Sequence, residues 1–246
     1  MATRLVQLVI DAADPARLAR FWAAALSWQI GTVADAEIDV WPRGYRSPDP
    51  VALPLVFVPV PEPKTVKNRI HLDLASRSAE HQAALVARLV TLGAMPADVG
   101  QGTVPWQVLA DPEGNEFCVL EPRPVYRDTG PVAAVVADCA DPGAVADFWR
   151  LASGWVPASS TDHGVSLRSP RGVGPYLELL PSADVKAVKN RIRLVLAPEP
   201  GEDQAAAVRA LTGAGAARIG VSQGSEVPWT VLADPEGSEF CVLSPR

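Results

Sequence analysis

The amino-acid sequence predicts an α+β protein built as two tandem units, each running through strand, helix and strands twice over. Three observations carry this reading. Residues 104–120 read VPWQVLADPEGNEFCVL and residues 227–243 read VPWTVLADPEGSEFCVL, so only two of seventeen positions differ. Asp11-Ala-Ala-Asp-Pro, leading to Phe21-Trp22, returns as Asp138-Cys-Ala-Asp-Pro, leading to Phe148-Trp149. Lys64-Thr-Val-Lys-Asn-Arg-Ile returns as Lys186-Ala-Val-Lys-Asn-Arg-Ile. Landmarks recurring in one order at similar spacing mark a tandem duplication. The units are residues 1–122 and 132–246, joined by the proline-rich, turn-prone residues 123–131.

Within unit 1, Leu5 to Asp11 is apolar and β-branched, a strand. A helix follows: Asp14 can cap it, Pro15 suits its first position, and Leu18, Phe21, Trp22 and Ala25 recur at helical spacing as its buried stripe. Leu53 to Val60 reads as a strand, Glu62 to Asn68 as a loop and Arg69 to Ala75 as a strand. A second helix runs from about Ala79 to Leu92 and stops at Gly93. The repeated phrase is a β-hairpin, because Pro at the second position of Asp-Pro-Glu-Gly presets φ and Gly at the fourth accepts a positive φ. Its return strand carries Cys118 in one copy and Cys241 in the other. Unit 2 repeats the order with Val132 to Ala137, a helix from Pro142, Pro175 to Leu180, Arg191 to Ala197, a helix through Gln204 to Leu211, and the second hairpin. Two such halves per unit, with helices confined to one face of antiparallel sheets, make the class α+β. The copies differ most in Gly31 to Pro50 and Trp155 to Gly174, so those segments are expected to edge any binding site.

Composition narrows the functional classes. Apolar residues make up 48% and charged residues 20% of 246, a globular balance. The net charge of −6 is dispersed, with no basic run and no aromatic-basic interleaving, which argues against a nucleic-acid partner. No stretch approaches the roughly 20 apolar residues of a membrane span, and the start of the chain lacks the pattern of a secretion signal. Three cysteines without a Cys-x-x-Cys pair make neither a disulfide framework nor a zinc finger. A cytoplasmic protein, monomeric or homodimeric, is expected.

The order of elements and their motifs resemble the vicinal oxygen chelate superfamily, which includes glyoxalases, bleomycin-resistance proteins and extradiol dioxygenases. The carriers are Asp14-Pro15 through Phe21-Trp22, Lys67-Asn68-Arg69-Ile70-His71-Leu72-Asp73-Leu74, Trp106 and Asp111-Pro-Glu-Gly-Asn-Glu-Phe117, with their counterparts in unit 2. The resemblance covers nearly the whole chain as two glyoxalase-like units. It implies paired βαβββ modules forming cupped sheets, with helices outside. It also implies that metal-dependent members would take ligands from four strand positions. In unit 1 these fall at Gln7, near Val56, at His71 and at Cys118; in unit 2 they fall at Ala134, Glu178, Arg193 and Cys241. Neither set is complete, so no metal is expected if the halves pair within a unit. If they pair across units, Glu178, His71 and Cys118 would share one cup as a ligand set for zinc or iron, and Gln7, Arg193 and Cys241 the other.

His71 alternates with Arg69 and Asp73 along its strand, which places all three on one face. One reading makes His71 and Asp73 an acid–base pair or ligation site; the other makes His71 a hydrogen-bonded structural residue. Cys118 and Cys241 are either buried, inert thiols or ligands. Arg191 and Arg193 either present a paired positive surface or serve internal salt bridges. Trp106 and Trp229 open the hairpins and either line a pocket or pack in the core. The residues expected to bind ligand are Gln7, Arg69, Trp106, Glu178, Arg193 and Trp229. The leading expectation is a binding module that holds a small, partly aromatic organic molecule without metal. The alternatives are an enzyme and a non-catalytic scaffold. The enzyme would be metal-dependent, or a metal-free lyase, isomerase or cyclase using His71 and Asp73.

Overall fold

The structure is a computed structural model that describes residues 3–34, 37–46, 49, 52–219 and 228–246. Four βαβββ modules follow one another. The first is β1 (Thr3–Ala12), α1 (Pro15–Leu26), β2 (Gln29–Ala34), β3 (Glu37–Trp41) and β4 (Leu55–Pro59). The second is β5 (Ile70–Leu74), α2 (Ala79–Thr91), β6 (Met95–Pro96), β7 (Gln107–Ala110) and β8 (Glu116–Val119). The third is β9 (Val132–Cys139), α3 (Pro142–Ser153), β10 (Val156–Thr161), β11 (Gly164–Arg168) and β12 (Tyr176–Pro181). The fourth is β13 (Ile192–Pro198), α4 (Gln204–Gly213), β14 (Ala217–Arg218), β15 (Trp229–Ala233) and β16 (Glu239–Leu243). Among the described residues no helix is long and apolar enough to cross a membrane.

The helix starts follow the local chemistry of the sequence. Asp14 accepts a hydrogen bond from the Arg17 amide and Asp141 from the Ala144 amide, each with proline in the first turn. The expected stripe of Leu18, Phe21, Trp22 and Ala25 is buried. Gly114 and Gly237 close the hairpin turns at φ 83 and 82. The joint between the units is not bare linker: Pro124–Tyr126 form a turn of 3-10 helix, and Tyr126 is buried.

The halves pair across the units. One eight-stranded sheet has the order β14-β15-β16-β13-β1-β4-β3-β2, and the other β10-β11-β12-β9-β5-β8-β7-β6. Each sheet thus joins one half of unit 1 to one half of unit 2 through an antiparallel seam, Leu8 opposite Leu194 in one and His71 opposite Val136 in the other. Within each module the first strand runs parallel to the last, and the remaining pairs are antiparallel. The segments where the copies differ supply the outer strands β2, β3, β10 and β11, with residues 35–36, 47–48 and 50 outside the described set. Val227, the first residue of the second repeated phrase, also lies outside it.

Although the sheets cross, each covalent unit coheres through its own Asp-Pro-Glu-Gly turn. Trp22 donates its indole N–H to Asp111 at 3.1 Å, and Trp149 to Asp234 at 3.2 Å. Glu113 accepts from the amides of Ala13 and Asp14, and Glu236 from those of Ala140 and Asp141, so each turn seizes the approach to the preceding unit helix. Phe117 packs against Phe21 and Trp22, as Phe240 does against Phe148 and Trp149. Full burial of such a ring contributes about 1.5–3 kcal/mol.

The same turns tie the units to each other. Arg191 bonds Glu113 and the carbonyls of Asp11 and Glu62; Arg69 bonds Glu236 and the carbonyls of Asp138 and Asp184. Arg69 was expected to bind ligand beside His71. Its guanidinium instead serves this junction, since three acceptors from the other unit converge on it. Arg191 serves internal salt bridges for the same reason.

Candidate functional site

Crossed pairing creates two cups, and equivalent positions in them have diverged. In the first, on the sheet containing β1 and β13, Val9 lies opposite both Arg193 and Val56, while Val195 lies opposite Gln7 and Cys241. Arg193 points one end of its guanidinium at Asp11 Oδ1, 2.7 Å away, and another at the Asn190 carbonyl at 3.0 Å. Lys189 takes the other Asp11 oxygen at 2.8 Å. Around this closed ion pair sit Val6, Val195, Ala197, Cys241 and Leu243, with Trp229 packed against them. Of the residues expected to bind ligand, Arg193 is buried and its charge neutralised, Trp229 belongs to an apolar cluster, and Gln7 is partly exposed on the neighbouring strand.

The second cup, on the sheet containing β5 and β9, collects the titratable groups. Asp73 on β5 stands opposite Cys118 on β8 and Ala134 on β9; His71 stands opposite Val136, which in turn faces Glu178 on β12. The ligand atoms of His71, Asp73 and Cys118 all lie within 4.8 Å of one another. Glu178, expected to complete a metal set with His71 and Cys118, falls outside that group and accepts a 2.7 Å hydrogen bond from the Tyr126 hydroxyl. Asp73, expected to pair with His71, stands among the donors in its place.

Burial governs the electrostatics here. Asp73 is only 8% exposed, and loss of solvent raises its carboxyl above the ordinary aspartate range, with the opposing pull of His71 and a hydrogen bond from Cys118 too weak to offset it. Asp73 Oδ1 is buried with no hydrogen-bond partner among the described residues: His71 Nε2 stands 3.5 Å away, an ion-pair distance rather than a formed bond. Burial also raises Glu178, against the hydrogen bond from Tyr126, and raises the Cys118 thiol, helped by the charge of Asp73. The two carboxyl groups of the floor therefore hold their protons to higher pH than ordinary carboxyls, and the thiol resists ionisation. Such groups can donate hydrogen bonds to a ligand oxygen or exchange a proton with it.

The wall includes side chains that sequence reasoning did not single out. Tyr126 enters from the joint and meets Tyr176 edge-on, with ring centroids 5.7 Å apart. Arg123 lies over both Trp106 and Tyr126, and Arg168 over Tyr176 at 4.5 Å. Trp106, expected to line a pocket, is thus at this cup, packed beside the apolar cluster of Cys118, Tyr126, Val136 and Tyr176. The signal for Tyr126 and Arg123 was present only as an aromatic and a cation inside a proline-rich stretch.

A family model described as a glyoxalase-like domain matches residues 7–120 and again 134–243. Among solved structures, glyoxalase I from Zea mays superposes with a TM-score of 0.65 at 14% identity, covering 99% of this chain and 92% of the maize chain. A putative dioxygenase from Bacillus subtilis superposes with a TM-score of 0.63 at 11% identity, covering 99% of this chain and 85% of the other. At these identities the likeness is one of fold. No curated protein matches the sequence.

Proposed function

This chain belongs to the glyoxalase-like domain family, and from that premise we propose that it binds a small, partly aromatic organic molecule in the cup floored by His71, Asp73, Cys118 and Glu178. The observation that carries the reading is the buried, unpartnered Oδ1 of Asp73. An unsatisfied buried carboxyl oxygen costs on the order of 1–3 kcal/mol or more, a cost that a bound group would offset. Asp73 and Glu178, whose carboxyl groups hold their protons to higher pH than usual, hydrogen-bond a ligand carbonyl or phenol, donating when protonated and accepting when ionised. Trp106, Tyr126 and Tyr176 supply rings for stacking. Arg193 and its ion pair make the opposite cup a structural counterpart.

A second reading is favoured by one specific observation, the convergence of nitrogen, oxygen and sulfur donors from His71, Asp73 and Cys118. Three such donors suit zinc or a similar borderline-soft divalent cation and leave a position open; they do not suit magnesium. A cation held there would polarise a ligand oxygen as a Lewis acid. The protein's part would be to orient that ligand against Trp106 and Tyr126 and to hold a proton at Glu178.

Elemental analysis of protein purified without added metal separates the two. The metal-free reading expects no zinc or iron, and a panel of aromatic carbonyl and phenolic compounds that quenches tryptophan fluorescence in the wild type but not in Asp73→Leu. About one equivalent of zinc or iron, lost in His71→Ala, would establish the second reading instead. Metal-free protein that no compound perturbs would sink both.

A further inference from the structure

Away from the floor of either cup, a cleft of about 860 Å³ opens between the end of α1, the start of α2 and the joint at Pro122–Pro131. Among the described residues its charged lining is Arg77, Arg88, Arg123 and Arg127, with His81 beside them and no carboxylate. In a chain of net charge −6, a carboxylate-free ring of four arginines is a departure from the dispersed charge elsewhere. Arg88 donates to the carbonyls of Ala24 and Ala25 at the end of α1, which fixes its position without neutralising it. Arg123 is held by Glu121 at 2.6 Å, outside the lining. Arg77 and Arg127 make no ion pair and no side-chain hydrogen bond with any described residue. His81 Nδ1 accepts from the Arg77 amide, so the neutral ring carries its proton on Nε2 and adds a donor.

Apart from the hydroxyl groups of Ser27, Ser76 and Tyr126, the rest of the lining is apolar, with Trp28, Leu74 and Leu85 among its members. Cationic forks around an apolar, partly aromatic wall match a planar organic body that carries a carboxylate or phosphate. The guanidinium fork pairs with either head group in two parallel hydrogen bonds, and the volume lies in the range of small-molecule sites. We infer that this cleft is a second binding site, for a small aromatic organic anion, distinct from the cup of His71 and Asp73. Tyr126 lines the cleft and also donates to Glu178 in that cup, and Arg123 lines the cleft while lying over Trp106 and Tyr126, so the two sites share these two wall residues.

The test is calorimetric titration of the full chain with benzoate and with phenyl phosphate, using benzamide as the uncharged isostere. Both anions bind, the tighter one naming the head group, and benzamide binds at least about tenfold more weakly. Raising salt from about 20 to about 200 mM weakens the anions and leaves benzamide unchanged. Arg77→Gln/Arg127→Gln, at two exposed positions, reduces anion affinity by about tenfold or more; Asp73→Asn leaves it unchanged. Equal binding of benzoate and benzamide, unaltered affinity in the double arginine variant, loss of anion binding in Asp73→Asn, or no binding of either anion would each overturn the inference. The salt dependence of the wild type decides the matter even if a variant fails to fold.

Discussion

Tyr126→Phe removes one oxygen atom from the joint and tests whether the joint is part of the cup. The ring stays, with its edge contact to Tyr176 and the guanidinium of Arg123 over its face. What disappears is the 2.7 Å hydrogen bond to Glu178 Oε1. A hydrogen bond to a charged acceptor contributes about 1.5–3 kcal/mol, and its deletion leaves a partly buried carboxylate without its donor. Tyr126→Phe should therefore destabilise the protein by about that amount near neutral pH. Glu178→Leu leaves the tyrosine hydroxyl unmatched, but it also removes a carboxyl that burial already disfavours in its charged form. In the double variant both polar partners are gone, and apolar replacement of a matched pair is close to neutral. The coupling energy from urea denaturation of the four proteins should be about 1.5–3 kcal/mol. The pH dependence has a definite sign. The folded-state pKa of Glu178 is raised, so the stability linked to its proton is complete below the unfolded value of about 4.3 and is lost as pH rises through the folded value. The Tyr126 donor eases that loss, so the penalty of Tyr126→Phe grows from acid toward neutral pH. A coupling energy below about 0.5 kcal/mol would fall within ordinary additivity and refute the reasoning.

The three cysteines are free, buried and raised, Cys139 to about 12, chiefly because burial disfavours the thiolate. A thiol-reactive dye at pH 8 should find no fast-reacting group in the native protein and three after denaturation; one rapid equivalent in the native state would contradict this. Stability carried by the neutral Cys139 thiol is complete below an unfolded value of about 8.5 and is lost as pH climbs toward the folded value. Cys139→Ala should accordingly flatten the alkaline limb of a stability–pH curve. Glu113→Ala strips two backbone amides and Arg191 of their acceptor. It should cost about 2–4 kcal/mol in chemical denaturation, given charged hydrogen bonds and an ion pair left half-empty. A cost under about 1 kcal/mol would mean that solvent replaces the clamp.

What could be read from the sequence was local. Asp14-Pro15 and Asp141-Pro142 announce their helices because cap and first-turn chemistry act within a few residues, and the hairpins are legible because the turn chemistry of Asp-Pro-Glu-Gly does. Strands β2, β3, β10 and β11 escaped notice. Strand β10, at the edge of its sheet, is exposed along its length and so carries no hydrophobic alternation to read. The choice between pairing within and across units could not be made from repeats, since both arrangements use the same strand faces. It is decided by contacts such as Arg191 with Glu113, which become visible only when the units meet. Tyr126 illustrates the remaining gap, because a tyrosine in a turn-prone joint gains meaning only once the joint lies against Glu178. His71, Cys118 and Glu178 were found in the sequence, but whether Asp73 or Glu178 stands with His71 and Cys118 is a matter of ångströms.

The divergence of the two cups has a common electrostatic origin. Asp11 and Asp138 are equivalent aspartates, and each is met by an equivalent lysine, Lys189 or Lys67. In the first cup the residue equivalent to His71 is Arg193, a permanent cation that cannot be buried without a partner, and it takes the second oxygen of Asp11. That pairing consumes the charge, and the neighbouring equivalents of Asp73 and Glu178 are Val195 and Val56, which ask nothing of it. In the second cup the smaller imidazole of His71 does not engage Asp138 and lies 3.5 Å from Asp73 instead. Replacing Val195 with aspartate would therefore not rebuild the second cup in the first, because Arg193 would bind the new carboxylate and hold it ionised. The controlling difference is histidine against arginine at one seam position: Arg193 is drawn to Asp11, whereas His71 leaves Asp138 to Lys67 and stands beside Asp73.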